Sequence, residues 1–287
     1  MVAAEAALAR FAAAVDAERL GVHGVHVRVG DEAATHRWRS DDRENLYSVS
    51  KGVCALATGM AIDERLLTLD LRVGDVFPAP ALGDGVADVT LRHLLTMSSG
   101  IDFSWFGHEP IPWPDLAAEM LRRPTPGRRF QYSDASTYVA MRMLGMVVGD
   151  VRDWLMPRLF DPLGIDNPQW HRCPLGHIIG GTGLELRTEE LARIGDVLLD
   201  RGRRQGRVLV SPEWVDAMHA DWIETGRPAP MDRYGLATWA GPGESWRFEG
   251  RYGQFVVVNG HAVVTITGHE EELEDRISAL AVEVTSD

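Results

Sequence analysis

Apolar positions recur three and four residues apart through residues 3–19, a spacing that predicts an amphipathic helix. The period then drops to two. Val22–Val29 alternates like a strand, and Ala33–Arg39 can pair back on it across a Gly-Asp-Glu turn. Helical spacing returns from Ser48 to about Glu64. Residues 76–175 are rich in Pro and Gly and hold helical pieces at Leu91–Met97 and Ser136–Gly149. Leu186–Gly202 predicts a further helix, with Thr188, Glu189 and Glu190 suiting its positive end. Beyond Met231 the pattern shortens to Tyr234–Gly241, Ser245–Gly250, Gly253–Gly260 and His261–Gly268, rich in β-branched and aromatic residues, which predict an antiparallel meander. Glu270–Val284 closes the chain as an amphipathic helix with acids at its start. The expected class is α+β in one domain. An antiparallel sheet flanked by N- and C-terminal helices comes from about 1–75 and 176–287, and a mostly helical lobe from about 76–175.

Composition narrows the function. A formal charge of −13 over 287 residues argues against nucleic acid or an anionic membrane as partner. The basic run Arg201–Arg207 contains two glycines and reads as a solvated turn. Cys54 and Cys173 make no disulfide framework, and Cys54 sits in an apolar stretch. Glu5, Arg10 and Asp16 interrupt the Ala-rich start, which matches neither a signal peptide nor a membrane span, so a cytoplasmic location is expected. His171, Cys173 and His177 lack a fourth ligand and are interrupted by Pro and Gly, so no metal or other cofactor is expected.

One residue stands out against this background. Of 29 Lys and Arg residues, Lys51 is the single lysine. Guanidinium stays charged, whereas a desolvated ammonium can lose a proton and act as a base. Ser48 lies three residues earlier, one helical turn away on the same face. At a helix start its oxygen would also meet the positive end of the dipole. A serine hydroxyl needs such a neighbouring base to become a nucleophile. Ser50 falls on another face.

The stretch from Ser48 through "SVSKGVCALATGMAIDERLLTLDLRVGDVFP" resembles the nucleophile helix of the serine β-lactamase-like hydrolases. That superfamily includes class C β-lactamases, D-amino-acid peptidases, β-lactamase-like esterases, transacylases and 6-aminohexanoate-dimer hydrolases. The likeness continues, in the family's order, through Val89–Ile101, "RRFQYSDASTYVAMRML", "GGTGLELRTEELARIGDVLLDRG", "VLVSPEW" and "WRFEGRYGQFVVV". The resemblance implies the β-lactamase/transpeptidase-like fold. It makes Ser48 the nucleophile, Lys51 its base, and Tyr132 the proton shuttle of a Tyr-x-Asn segment that here reads Tyr132-Ser133-Asp134. Asp in place of Asn gives an acceptor only, and would keep Lys51 more protonated. A cationic substrate group facing Asp134 would offset that. The resemblance places Arg251-Tyr252-Gly253 on the strand that usually reads Lys-Thr-Gly. It implies an oxyanion hole from the backbone N–H groups of Ser48 and Gln254. Arg251 is a candidate for a substrate carboxylate. Trp105, Phe106 and Trp113 fall in the region bordering the family's cleft and are candidates to line it.

The expected function is hydrolysis of a small ester or amide through an acyl-Ser48 intermediate, with no nucleic-acid or membrane partner. A transacylase using the same residues, or a non-catalytic sensor on the same fold, are the alternatives.

Overall fold

The computed structural model describes residues 3–107 and 111–286; His108–Pro110, inside the aromatic segment considered above, lie outside them. Among the described residues one antiparallel sheet of eight strands dominates. Its order is Glu32–Arg37, Val22–Val29, Ala262–Gly268, Gln254–Asn259, Trp246–Gly250, Trp239–Ala240, Arg233–Tyr234 and Ile223–Glu224. The C-terminal meander forms as the pattern predicts, and the N-terminal hairpin adds to it by pairing Val25 with Ile266 and Val27 with Val264.

Strand alternation sorts side chains to two cores. Phe255, Val257, Val264 and Ile266 join Val25 and Val27 under the terminal helices Ala3–Glu18 and Glu274–Glu283, which contribute Phe11, Val15, Ile277 and Leu280. Val256, Val258, Val263 and Phe248 face the other way, into a larger core with the helices Val49–Asp63 and Thr188–Leu199 and the helical segments of the middle of the chain. Burying about 1.5–3 kcal/mol of side chain per large apolar residue on both faces makes the sheet the rigid floor of the molecule. The final helix begins at Glu274, not Glu270. Glu270 instead accepts the Gly21 N–H (2.8 Å) and the Glu272 and Leu273 N–H groups, closing the turn ahead of that helix.

A small second sheet sets up the site. Glu44–Asn45 pairs with Leu184–Leu186, which pairs with Gln169–Trp170. The Asn45 side chain accepts both the Tyr47 N–H (2.9 Å) and the Gly183 N–H (3.1 Å), and Leu46 N–H bonds Leu184 O at 2.8 Å. The start of the Val49–Asp63 helix is thereby fixed to residues 181–184, far away in sequence. No helix among the described residues is long and apolar enough to cross a membrane.

Candidate active site

Ser48 occupies the N-cap position of the Val49–Asp63 helix, half-buried, directly after Tyr47 at φ 46. A bulky residue in left-handed backbone is strained and persists only where its surroundings hold it. Here the Asn45 bond and an edge-on contact with Tyr252 (5.2 Å between centroids) do so. The helix behind Ser48 is buried from Val49 to Ala61, and Lys51, with no exposed surface, is among the largest fully buried side chains.

The three N–H bonds of the Lys51 ammonium are all accounted for. They go to Ser48 Oγ (2.6 Å), to the Gly181 carbonyl (2.7 Å) and to Asp134 Oδ1. Gly181 has to be glycine for this contact: a Cβ there would stand 2.4 Å from Asp134 Cβ. Nζ also lies 4.7 Å from the centroid of the Tyr132 ring.

Tyr132 and Asp134 flank Ser133, which caps the Asp134–Val148 helix by accepting the Ala135 N–H. The Ser133 hydroxyl also bonds Trp105 N and O, and Asp134 N–H bonds Trp105 O at 3.0 Å. Asp134 thus sits in the first turn, where the helix dipole favours a negative charge. Its Oδ2 accepts the Gly107 N–H at 2.7 Å. Both carboxylate oxygens are engaged within the protein, and Asp134 also lines the cavity.

Burial alone would push Lys51 down, but Asp134 and Tyr132 outweigh it and leave the amine raised above its ordinary value. Burial also raises the Tyr132 phenol, against the pull of Lys51 and of its contacts with Ser48 and Lys51. The resting site therefore holds an ammonium and a neutral phenol.

The strand Trp246–Gly250 supplies the opposite wall. It pairs along its length with Gln254–Asn259, but on its other side, among the described residues, only Trp246 and Arg247 find strand partners, in Trp239–Ala240. From Phe248 onward that edge is open, and Glu249, Gly250 and Arg251 line the cavity beside Ser48. A Cβ on Gly250 would meet Leu46 O at 2.2 Å and Ser48 N at 3.2 Å, so glycine lets the strand lie against the nucleophile. The enclosed space is about 280 Å³, near the lower end of the ~300–1,000 Å³ usual for small-molecule sites. Tyr47, Phe106, Tyr132, Thr182 and Trp239 supply most of the remaining wall, with Tyr132 stacked on Trp239 at 5.5 Å.

The structure brings Ser48, Lys51, Tyr132, Asp134 and Arg251 together, with Phe106 at the same cavity. It corrects the placement of the last segment. Residues 251–253 are the hairpin turn, and Phe248-Glu249-Gly250 runs along the site. Gly253 faces Ile277 under the sheet, and Gln254 is buried with its side chain donating to Gly268 O at 2.5 Å. Tyr252 packs between Tyr47 and His269. Trp105 is a core residue that positions Asp134 through its carbonyl, and Trp113 packs on Phe103. His171 pairs with Glu185 and Cys173 with Tyr138. Among the described residues no three His, Cys, Asp or Glu side chains form a group able to hold a metal ion. Sequence reasoning missed Gly181, Arg227, Trp239 and Glu249. The paired glycines at 180–181 were the one available signal for the carbonyl that receives Lys51.

An antiparallel sheet with a Ser-x-x-Lys helix start docked at its open strand edge defines the β-lactamase/transpeptidase-like class of folds. The family model described as Beta-lactamase matches residues 9–274, and the chain belongs to that family. Among solved structures, a family VIII carboxylesterase superposes with TM-score 0.78 at 16% identity, covering 99% of this chain and 98% of that one. A penicillin-binding protein homologue from Caulobacter crescentus gives TM-score 0.77 at 18% identity, covering 100% and 97%. In sequence, the chain is 25% identical over 160 residues to a lovastatin esterase of Penicillium rubens, covering 46% of this chain and 40% of that enzyme. It thus spans less than half the length of that curated relative.

Proposed function

We propose that the protein is a serine hydrolase of small esters or amides that works through an acyl-Ser48 intermediate. The observation that carries this reading is the buried Lys51 amine 2.6 Å from Ser48 Oγ at the edge of an aromatic-walled cavity. The family membership and the esterase relative support it.

Attack requires Nζ to give up one proton first, and Asp134 Oδ1 is in contact to take it. The neutral amine then accepts the Ser48 proton as Oγ bonds the substrate carbonyl carbon. Negative charge develops on the carbonyl oxygen. The Ser48 N–H, at a helix start where the first N–H groups have no intrahelical partner, and the Arg251 N–H, directly after the open-edged strand ends at Gly250, are the donors we assign to it. Tyr132 gives its phenolic proton to the leaving oxygen or nitrogen and is recharged from Lys51. Water then repeats the sequence on the acyl-enzyme, with Tyr132 and Lys51 drawing off its proton.

The test is intact-protein mass spectrometry after a fluorophosphonate probe, run beside an ester and amide panel. One adduct per chain, lost in Ser48→Ala together with turnover, is expected. An unlabelled protein at neutral and basic pH would point to a non-catalytic binding role instead.

A further inference from the structure

Counted together with the cations buried behind its wall, the described residues give the cavity an excess of positive charge in a chain whose net charge is −13. Four ionisable side chains among its lining residues bear on this: Asp134, Glu249, Arg227 and Arg251. Each carboxylate already has a buried cation. Asp134 holds Lys51, and Glu249 holds Arg247 at 2.6 Å with only 3% of the Arg247 side chain exposed. Neither arginine at the mouth has a carboxylate within ion-pair distance among the described residues. The Arg251 guanidinium lies 4.6 Å over the Tyr252 ring and feels Glu274 nearby. Arg227 lies over aromatic rings and, among the described residues, has no acid within ion-pair distance: its guanidinium is 5.8 Å from the Phe130 centroid and 5.9 Å from that of Tyr132.

The segment that presents Arg227 is fixed. It is the tip of the hairpin joining Ile223–Glu224 to Arg233–Tyr234. Thr225 Oγ1 accepts the Arg227 N–H at 3.1 Å, and Met231 N–H closes on Pro228 O at 3.0 Å. From below, Arg247 donates to Pro230 O at 3.2 Å. An arginine held at cation–π distance from aromatic rings keeps a planar fork of donors that is weakly hydrated, which suits two parallel bonds to a carboxylate.

We infer that the substrate bears an anionic group, a carboxylate on a short linker from the scissile bond, and that Arg227 is its specificity-determining partner on the Tyr132 side of the cavity. The inference rests on the hydrolase reading for the position of the reacting carbonyl, but the binding it asserts needs no turnover.

That separation allows a clean experiment. The full-length Ser48→Ala protein is titrated calorimetrically with monomethyl glutarate and with dimethyl glutarate, in parallel with the same protein carrying Arg227→Gln or Arg227→Lys. An ion pair to this exposed arginine predicts that the monoacid binds about threefold to fivefold tighter than the diester, and that added salt weakens the monoacid alone. Arg227→Gln should erase the preference and Arg227→Lys keep part of it. Equal affinities, tighter binding of the diester, no heat from either ligand, or a preference that survives Arg227→Gln and falls in Arg251→Gln would each overturn the assignment. Fluorophosphonate labelling of wild-type Ser48 reports on the hydrolase reading separately, so each idea can fail without the other.

Discussion

Two buried cation–carboxylate pairs stand at the same cavity, and they differ in one respect. Lys51–Asp134 has side chains 1% and 5% exposed, and Arg247–Glu249 has side chains 3% and 13% exposed. Arg247 spends its remaining donors on Ala240 O (2.6 Å) and Pro230 O, tying strand to hairpin. Lys51 spends one of its three on the nucleophile. A guanidinium cannot be deprotonated in a protein, whereas a buried ammonium can. On the proposed mechanism, the chain uses arginine where a cation must only hold, and its single lysine where a proton must leave.

The comparison breaks first, and by the largest amount, at position 51. Lys51→Arg keeps the charge and removes the base, and kcat/KM should fall by about 10²–10⁴. Arg247→Lys keeps the charge but loses carbonyl bonds worth about 1–3 kcal/mol, so melting temperature should drop while kcat/KM stays within about tenfold. Matched kinetics and thermal melts of the two variants check both. An active Lys51→Arg enzyme would sink the assigned base. Next in size is the cost of an orphaned charge: Lys51→Ala leaves Asp134 buried alone, at about 3–5 kcal/mol of stability, and the double change Lys51→Met with Asp134→Leu should recover most of it. Denaturant midpoints decide whether the pair behaves as a unit.

The Ser48–Lys51 contact in this contrast was legible in the sequence, and the Arg247–Glu249 pair was not. Ser48 and Lys51 are neighbours on one helix, so spacing alone joins them, and a lone lysine among arginines is visible by composition. Tyr132 and Asp134 came from a resemblance, and the helix cap at Ser133 shows why they arrive as a pair. The short strand-like segments also predicted the meander. Register was the failure. Both Phe248-Glu249-Gly250 and Arg251-Tyr252-Gly253 end in glycine, and only the pairing of Gly250 with Gln254 shows which frame is strand and which is turn. Arg227 was hidden by number, one arginine among many, and its meaning depends on which carboxylates lie elsewhere. The Gly181 carbonyl has no side-chain signature at all.

A smaller effect separates Lys51 from an ordinary base. Asp134 helps hold the amine above its usual value, so Asp134→Asn should move the acid limb of the kcat/KM profile to lower pH. A limb that stays in place would show that some other group sets the protonation of Lys51.

The finest test compares the two pairs by pH and stability. Lys51 is raised in the fold, so the stability it contributes is fully present below its unfolded value of about 10.4 and is lost as pH rises through the folded value. Arg247 does not titrate there, but its partner does elsewhere. Burial, opposed by Arg247, raises Glu249 above the usual carboxylate range. A raised carboxyl follows the same sign: its contribution is present below the unfolded value of about 4.3 and declines as pH rises through the folded one. Both pairs therefore lose stability with rising pH, one in the acid window and one in the alkaline. Glu190, lowered because the pull of Arg43 and Arg187 exceeds the effect of burial, works in the opposite direction in acid, so absolute melting curves mix the two. Differences do not. The melting-temperature gap between wild type and Glu249→Gln should change across the acid range and be flat above neutrality. The gap to the Lys51→Met, Asp134→Leu protein should change on the alkaline side. An alkaline gap that widens as pH rises toward the unfolded value would mean that Lys51 is already neutral in the fold, and that Asp134 does not hold its proton.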